Sequence, residues 1–165
     1  MRYTIWIIPP EPIFTTLQKV ITELSQKYQG PLFSPHMTVA ALPELEPAEI
    51  TKRIESIAKK LHPLELSIGP VSFSTTYFQS VFARVNSTAE LTQLNLDIKD
   101  LFEIENDVYM PHISLLYGNH DMKIRERITK EIHLPPLSFV GQELAIIPHS
   151  ENIGEWIPVE KIPLG

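Results

Sequence analysis

The chain contains no cysteine among its 165 residues. This absence excludes disulfide bonds, a nucleophilic thiol and thiolate metal sites, and it says nothing about the cellular compartment. Basic residues are also few, because 14 Lys and Arg stand against 20 Asp and Glu, which gives a net charge of -6. Proteins that grip duplex nucleic acid contact many phosphates through Lys and Arg, so the sequence predicts no duplex nucleic acid partner.

Long hydrophobic runs are missing as well. No apolar stretch approaches the roughly 20 residues needed to span a bilayer, and the start MRYTIWIIPPEP turns polar and proline-rich too soon for a signal peptide. We therefore expect a cytoplasmic protein with no membrane partner. No linker or low-complexity segment divides the chain, and 43% hydrophobic content can supply a substantial core. The sequence predicts a single domain over residues 1–165, which we expect to be a monomer.

Hydrophobic periodicity predicts helices and strands that alternate along the chain. Helical stripes occupy ranges 11–28, 47–62, 87–102 and 121–134. Strand patterns occupy ranges 2–8, 36–42, 64–75, 77–85, 112–118, 137–148 and 155–162. The order predicts an α+β fold of two packed lobes.

One short pattern occurs twice. The segments SPHMTVA, from Ser34, and MPHISLL, from Met110, both contain proline, histidine, an apolar residue, a hydroxyl residue and another apolar residue in that order. A single copy is expected by chance about 0.01 times in a chain of this composition. Two copies therefore indicate a functional pair, which tertiary folding must bring together.

Strand geometry explains the spacing within each motif. Residues i and i+2 of a strand project to the same face, so each histidine and its hydroxyl residue should point the same way. His36 is matched with Thr38, and His112 with Ser114. Each strand thus offers one imidazole beside one hydroxyl.

Displacement at phosphorus requires such a pair of groups. The attacking water and the leaving oxygen occupy opposite sides of the phosphate, so a base and an acid must face each other across it. Two imidazoles with ordinary pKa values near 6.5 can fill both roles around neutral pH. The hydroxyls can donate to the non-bridging oxygens, where negative charge is held in the transition state. This chemistry needs neither a metal nor a cofactor.

These residues resemble the two-histidine phosphoesterase superfamily, which carries paired His-x-Thr/Ser motifs. The resemblance extends over nearly the whole chain, through the segments YTIWIIP, PHMTV, YFQSVF and PHISLLYG. Within the superfamily, these segments are most similar to the plant and fungal cyclic phosphodiesterases. The resemblance implies two pseudo-twofold-related lobes, antiparallel sheets lining a central cleft, and helices outside. It also implies opening of ADP-ribose 1″,2″-cyclic phosphate and of nucleoside 2′,3′-cyclic phosphates, the latter to 2′-phosphates.

Residue roles follow from the same resemblance. It makes His112 the base that orients water, helped by Tyr117, and His36 the acid at the leaving oxygen. Thr38 and Ser114 become the phosphate donors.

Aromatic residues are the second group that the resemblance assigns to the site. It makes Trp6 and Phe78 apolar walls near the nucleotide, with Tyr77 as a substitute for Phe78. On pattern alone Trp6 and Phe78 would be read as core residues, because aromatic side chains in strands usually pack. The other histidines lack the motif; among them, His120 in YGNHD fits a solvated loop better than the rim of a cleft.

Three alternatives stay open at this point. A metallophosphoesterase would need histidines and carboxylates at ligand spacing, which neither motif provides. An RNA 2′,3′-cyclic phosphodiesterase or another RNA end-processing relative is the alternative enzyme, which the acidic charge balance disfavours. A non-catalytic nucleotide-binding module is the alternative outside enzymes, and two complete motifs speak against it.

Overall fold

The computed structural model describes all residues from Met1 to Gly165. Its helices are α1 (Ile13–Tyr28), α2 (Pro47–Ala58), α3 (Ala89–Leu101) and α4 (Met122–Glu131), with a short 3₁₀ turn at Ile153–Glu155. Its strands are β1 (Tyr3–Ile7), β2 (Met37–Ala41), β3 (Leu64–Phe73), β4 (Val81–Val85), β5 (His112–Leu116), β6 (Ser138–Gly141), β7 (Glu143–Pro148) and β8 (Glu160–Pro163). The predicted α+β class is confirmed.

All strand pairings are antiparallel, in the order β6-β3-β4-β5-β2-β1-β7-β8. The two motif strands, β2 and β5, are therefore the central neighbours of one continuous sheet. Each stands at the inner edge of a four-stranded half. The sheets expected for two lobes are thus joined through the strands that carry the histidines.

The two halves exchange helices across the centre. One half contains the unit β1-α1-β2 and the other the unit β4-α3-β5, yet α1 packs on β5 and α3 packs on β2. In α3, the buried Asn95 donates its Nδ2 hydrogen to the Val39 carbonyl of β2 at 2.7 Å. Each motif strand is therefore held from behind by the helix of the opposite half.

Helix formation follows the apolar stripes seen in the sequence. In α1, Leu17, Ile21 and Leu24 lie three and four residues apart and are buried together. Burial of such side chains contributes about 1.5–3 kcal/mol each, more than local propensity supplies. The hydroxyl of Thr88 accepts the backbone N–H of Leu91, which starts α3 where the Ser/Thr signal predicts.

The main core comprises 33 buried residues between the sheet and its helices. A separate small cluster of Trp6, Ala145 and Ile147 lies apart from this core. None of the helices is both long and apolar enough to cross a bilayer.

Three segments differ from the sequence prediction. The strand expected over 77–85 begins at Val81, so residues 77–80 form a loop. The range 137–148 holds two strands, β6 and β7, because Gln142 interrupts the ladder. The range 155–162 is mostly irregular before β8 begins.

Candidate active site

The two motif strands pair at one point, Met37 opposite Ile113. Both of these side chains are fully buried in the main core. Because side chains alternate between faces, the residues on either side of this pair project to the opposite face, where they line one cleft. These four residues are His36, Thr38, His112 and Ser114.

The register also fixes how the four groups are arranged. Continuing the antiparallel pairing outward from its centre sets His36 across from Ser114 and Thr38 across from His112. Each imidazole thus has a hydroxyl from its own strand and one from the other strand as neighbours. This arrangement is what a pseudo-twofold axis through the central pair requires.

Both histidines make the same local hydrogen bond. Nδ1 of His36 donates to the Ser34 carbonyl at 2.7 Å, and Nδ1 of His112 donates to the Met110 carbonyl at 2.8 Å. A carbonyl can only accept, so the proton of each neutral ring resides on Nδ1 and Nε2 keeps a lone pair. Neither Nε2 has a hydrogen-bond partner within the protein. Each is therefore available to take a proton or, once charged, to donate one.

Burial sets the electrostatics of the pair. Desolvation lowers the pKa of His36 to about 4, against the smaller opposing effect of the Ser34 carbonyl, and His112 adds a little. Desolvation also lowers the pKa of His112, with the Met110 carbonyl opposing it and the nearby Arg84 adding to it. Both rings are therefore neutral at neutral pH in the free protein. Burial thus favours the neutral form of both rings more strongly than an ordinary imidazole pKa near 6.5 would.

The two hydroxyls are not equivalent. Oγ1 of Thr38 forms no hydrogen bond within the protein, so it is free to donate. Oγ of Ser114 donates to the Phe78 carbonyl at 2.7 Å. A hydroxyl has one proton, so Ser114 can donate to a ligand only after its O–H rotates away from that carbonyl.

Aromatic rings surround the first histidine. Trp6 lies opposite Thr38 in the ladder between β1 and β2, and its ring stacks on His36 at 3.5 Å between centroids. Trp156 meets both rings edge-on, at 5.8 Å from Trp6 and 6.1 Å from His36. Trp156 was not predicted from the sequence, because it lies in an irregular segment with no motif and reaches the cleft only through tertiary folding.

A second aromatic group continues from the first, because Phe78 and Tyr117 each lie 6.2 Å from Trp156 between ring centroids. Tyr117 is buried and stacks on Phe33 at 3.8 Å, and burial raises the pKa of its hydroxyl. Phe78 contacts Tyr117 edge-on at 5.1 Å and keeps half of its surface exposed. Tyr77 packs against both rings from outside and does not line the cleft. The structure thus brings together all the predicted site residues except Tyr77.

Two polar residues of the cleft were also missed. The hydroxyl of Tyr109 donates to the Thr38 carbonyl at 3.1 Å, and Asn95 donates to the next carbonyl along β2. These side chains satisfy two successive backbone carbonyls of β2. The sequence carries no signal for this arrangement, because neither residue belongs to the repeated pattern.

The cleft has a volume of about 650 Å³. Among its lining residues, Lys99 is the one lysine or arginine, and its ammonium group is 2.6 Å from a carboxylate oxygen of Asp107. No group of three or more His, Asp or Glu side chains is close enough to hold a metal ion. His120, whose Nε2 donates to the Tyr28 carbonyl, lies outside the cleft.

Comparison with known proteins gives the chain its family. The family model described as "Cyclic phosphodiesterase-like protein" matches residues 1–164. The chain belongs to the cyclic phosphodiesterase-like family. A cyclic phosphodiesterase of Arabidopsis thaliana is 34% identical over 117 residues. That match covers 70% of this chain and 65% of the Arabidopsis protein, which is just under two thirds of its length.

Solved structures show that proteins with low sequence identity to this chain share its fold. A protein of Thermus thermophilus superposes with a TM-score of 0.69 at 17% identity, covering 99% of this chain and 98% of the other. Escherichia coli LigT, solved in complex with 3′-AMP, superposes with a TM-score of 0.67 at 16% identity, covering 99% and 97%. The family member thus has the LigT-like two-histidine phosphoesterase fold over its whole length.

Proposed function

We propose that this protein hydrolyses small cyclic phosphates by acid-base catalysis between His36 and His112, without a metal ion. One observation carries the proposal: two imidazoles with matched Nδ1 hydrogen bonds and unoccupied Nε2 atoms line the same cleft. Membership of the cyclic phosphodiesterase-like family supports it. The substrates proposed are ADP-ribose 1″,2″-cyclic phosphate and nucleoside 2′,3′-cyclic phosphates.

The reaction begins with a water molecule beside the ring phosphorus. His112 takes a proton from this water as its oxygen bonds to phosphorus. On the opposite side the bond from phosphorus to the ring oxygen breaks, and His36 gives that oxygen its proton. One water is consumed and the cyclic diester becomes a monoester, a 2′-phosphate for a nucleoside 2′,3′-cyclic substrate. Proton exchange with solvent resets both rings.

Location supports this order of roles. His36 lies among Trp6, Trp156 and Phe33, where a nucleoside that carries the leaving oxygen would pack. His112 is less buried and has a cation, Arg84, nearby, which suits the side where water enters. Burial alone would leave a proton more readily on His112, but a bound phosphate anion favours the charged form of both rings. Position relative to the leaving oxygen then determines which ring donates.

The remaining cleft residues bind the substrate. Thr38, and Ser114 after its hydroxyl rotates, donate to the non-bridging oxygens, where such donors stabilise the transition state. Trp6 and Phe78 provide apolar surface for one nucleoside, and the hydroxyl of Tyr117 assists the attacking water. Tyr77 supports Phe78 from outside. In the shared fold, LigT is complexed with the mononucleotide 3′-AMP, a ligand of the proposed size.

A substrate panel in EDTA tests the proposal. Purified protein is incubated with ADP-ribose 1″,2″-cyclic phosphate, nucleoside 2′,3′-cyclic phosphates and nucleoside 3′,5′-cyclic phosphates, and each product is identified as its regioisomer. We expect the first two classes to be opened at full rate in the chelator, because two imidazoles supply both proton transfers. Activity that disappears with EDTA and returns with a divalent ion would contradict the mechanism.

A further inference from the structure

Arg125 of α4 is 2% exposed and has no carboxylate partner. A buried guanidinium without a counter-ion is costly unless its N–H groups are all but fully satisfied. Here backbone carbonyls satisfy them. Nε donates to His120 at 2.8 Å, Nη1 to Ser74 at 2.6 Å and to Thr76 at 2.8 Å, and Nη2 to Gly118 at 3.1 Å.

The four carbonyls belong to two loops that are far apart in sequence. Two lie in residues 74–80, named here the aromatic loop because Tyr77 and Phe78 belong to it. The other two lie in the turn at 118–120, directly after β5. At Gly118 the backbone has a φ of +142°, and a Cβ there would collide with the His120 ring, so only glycine fits. One planar guanidinium thus joins the two loops.

The aromatic loop carries two groups into the cleft. The ring of Phe78 lines it, and the Phe78 carbonyl accepts the hydroxyl of Ser114. The loop also closes on the turn, because Gly118 donates its N–H to the Tyr77 carbonyl at 3.1 Å. No other lysine or arginine side chain donates a hydrogen bond to this loop. Its placement over the cleft therefore depends on Arg125 together with the loop's own hydrogen bonds, in which Ser74 Oγ donates to the Gln79 carbonyl at 2.7 Å.

We propose that Arg125 is a positioning residue that holds the aromatic loop, and so the Phe78 ring, where the nucleoside of a substrate packs. This inference rests on the proposed function. Arg125 touches no substrate and takes no part in proton transfer. Its contribution is to selectivity: substrates with a nucleoside depend on it more strongly than cyclic phosphates without one, which meet the loop only through the Ser114 hydroxyl.

The test compares Arg125→Lys with Arg127→Lys. Lysine keeps the charge, but its three N–H donors on one nitrogen cannot span carbonyls in both loops. Arg127, on the same helix, is exposed and pairs only with Glu131, so its replacement is a matched control. The measured quantity is the ratio of kcat/KM for a nucleoside 2′,3′-cyclic phosphate to kcat/KM for glycerol 1,2-cyclic phosphate. We expect Arg125→Lys to lower this ratio about tenfold, mainly through KM for the nucleotide, as displaced contacts do.

Combining Arg125→Lys with Phe78→Ala tests whether Arg125 acts on selectivity through the Phe78 ring. If Arg125 acts through the Phe78 ring, Arg125→Lys should not lower the ratio further in a protein that already lacks the ring. Equal losses of kcat/KM for both substrates would overturn the proposal, and so would full additivity with Phe78→Ala. Should Arg125→Lys fail to fold, Ser74→Ala removes one of the loop's internal hydrogen bonds, from Ser74 Oγ to the Gln79 carbonyl, without disturbing a buried charge, and it should lower the ratio in the same direction.

A measurement without substrate separates this inference from the proposed function. Hydrogen exchange of the amides of Gln79 and Gly118, which close the loop, should quicken in Arg125→Lys and stay unchanged in Arg127→Lys. If wild-type protein opens no cyclic phosphate, the proposed function fails, and the ratio of affinities for a nucleoside 2′-phosphate and for inorganic phosphate replaces the kinetic ratio. Unchanged exchange, or an unchanged ratio despite faster exchange, would overturn the positioning role.

Discussion

Residue spacing in the two motifs has a local physical reason. A carbonyl two residues before each histidine accepts its Nδ1 hydrogen, and the proline between them has a fixed φ that restricts the approach. A hydroxyl two residues after the histidine then falls on the same face of the strand. The sequence was sufficient to predict the pairing of imidazole and hydroxyl. The tautomer was not predictable, because it depends on backbone angles that the motif letters do not specify.

Removal of either imidazole should separate the two roles. We expect His36→Ala and His112→Ala each to lower kcat for a nucleoside 2′,3′-cyclic phosphate by roughly 10²-fold or more, the usual scale for an acid or a base. A cyclic phosphate of nitrocatechol has a more acidic leaving oxygen and needs less help from an acid. His36→Ala should therefore recover part of its loss on this substrate, whereas His112→Ala should not.

The exposed His133→Ala is the matched control, and we expect it to retain normal kinetics. Circular dichroism establishes that each variant is folded. Near-normal turnover by a folded His36 or His112 variant would remove that residue from the mechanism. Recovery in His112→Ala instead of His36→Ala would reverse the two roles.

The pH dependence of turnover should reflect burial of the histidines. The pKa of His36 is lowered to about 4 and that of His112 is lowered as well, so in the free protein the protonated acid is scarce at neutral pH. The profile of kcat/KM, which reports the free protein, should therefore reach its maximum below pH 6.5 and fall toward alkaline pH. A bound phosphate anion raises both pKa values, so the kcat profile should lie at higher pH.

Initial rates across pH 4–9 at saturating and limiting substrate give the two profiles. A kcat/KM maximum above pH 7 would show that the free protein holds the acid's proton far more firmly than its buried environment predicts. Coincident profiles for kcat and kcat/KM would show that substrate binding leaves both pKa values unchanged.

At the scale of elements, predictability followed the strength of the pattern. The four helices and the two motif strands were predicted because each carries a long apolar stripe or a strict alternation. The segment YFQS was predicted as strand because its aromatic residues favour strands, but it forms the loop held by Arg125. Tertiary hydrogen bonds to a residue some 50 positions away outweighed local propensity there.

The pairing between elements was harder to predict from the sequence. The contact of β2 with β5 consists of one residue pair, Met37 with Ile113, and strand patterns contain no information about such a partner. The exchange of α1 and α3 between the two halves likewise follows from packing of faces rather than from order along the chain. For the same reason the position of Trp156 in the cleft could not be predicted, because this residue reaches the cleft from an irregular segment. The repeated motif predicted four side chains that share the cleft, whereas Trp6 and Phe78, which also line it, were indicated only by the family resemblance.

For the whole molecule, charge distribution bears on which substrates can approach. The net charge is -6, and the single lysine of the cleft is already paired with Asp107. The segment that joins α3 to the second motif strand exposes three acidic residues: Glu103, Glu105 and Asp107. A polyanion would meet carboxylates at this side of the cleft and gain few phosphate contacts, whereas a mononucleotide needs only the cleft itself.

Substrate length tests this argument. We predict that a mononucleotide 2′,3′-cyclic phosphate has a kcat/KM at least equal to that of an oligoribonucleotide with the same cyclic end. Since attraction along a polyanion weakens steeply with salt, kcat/KM for the oligonucleotide should not fall between 50 and 200 mM salt. Glu105→Lys, on the exposed acidic segment, supplies the comparison: an added cation there should improve use of the oligonucleotide at low salt and leave the mononucleotide unaffected. A strong preference of the unmodified protein for the oligonucleotide, fading as salt rises, would instead indicate an enzyme that processes RNA ends.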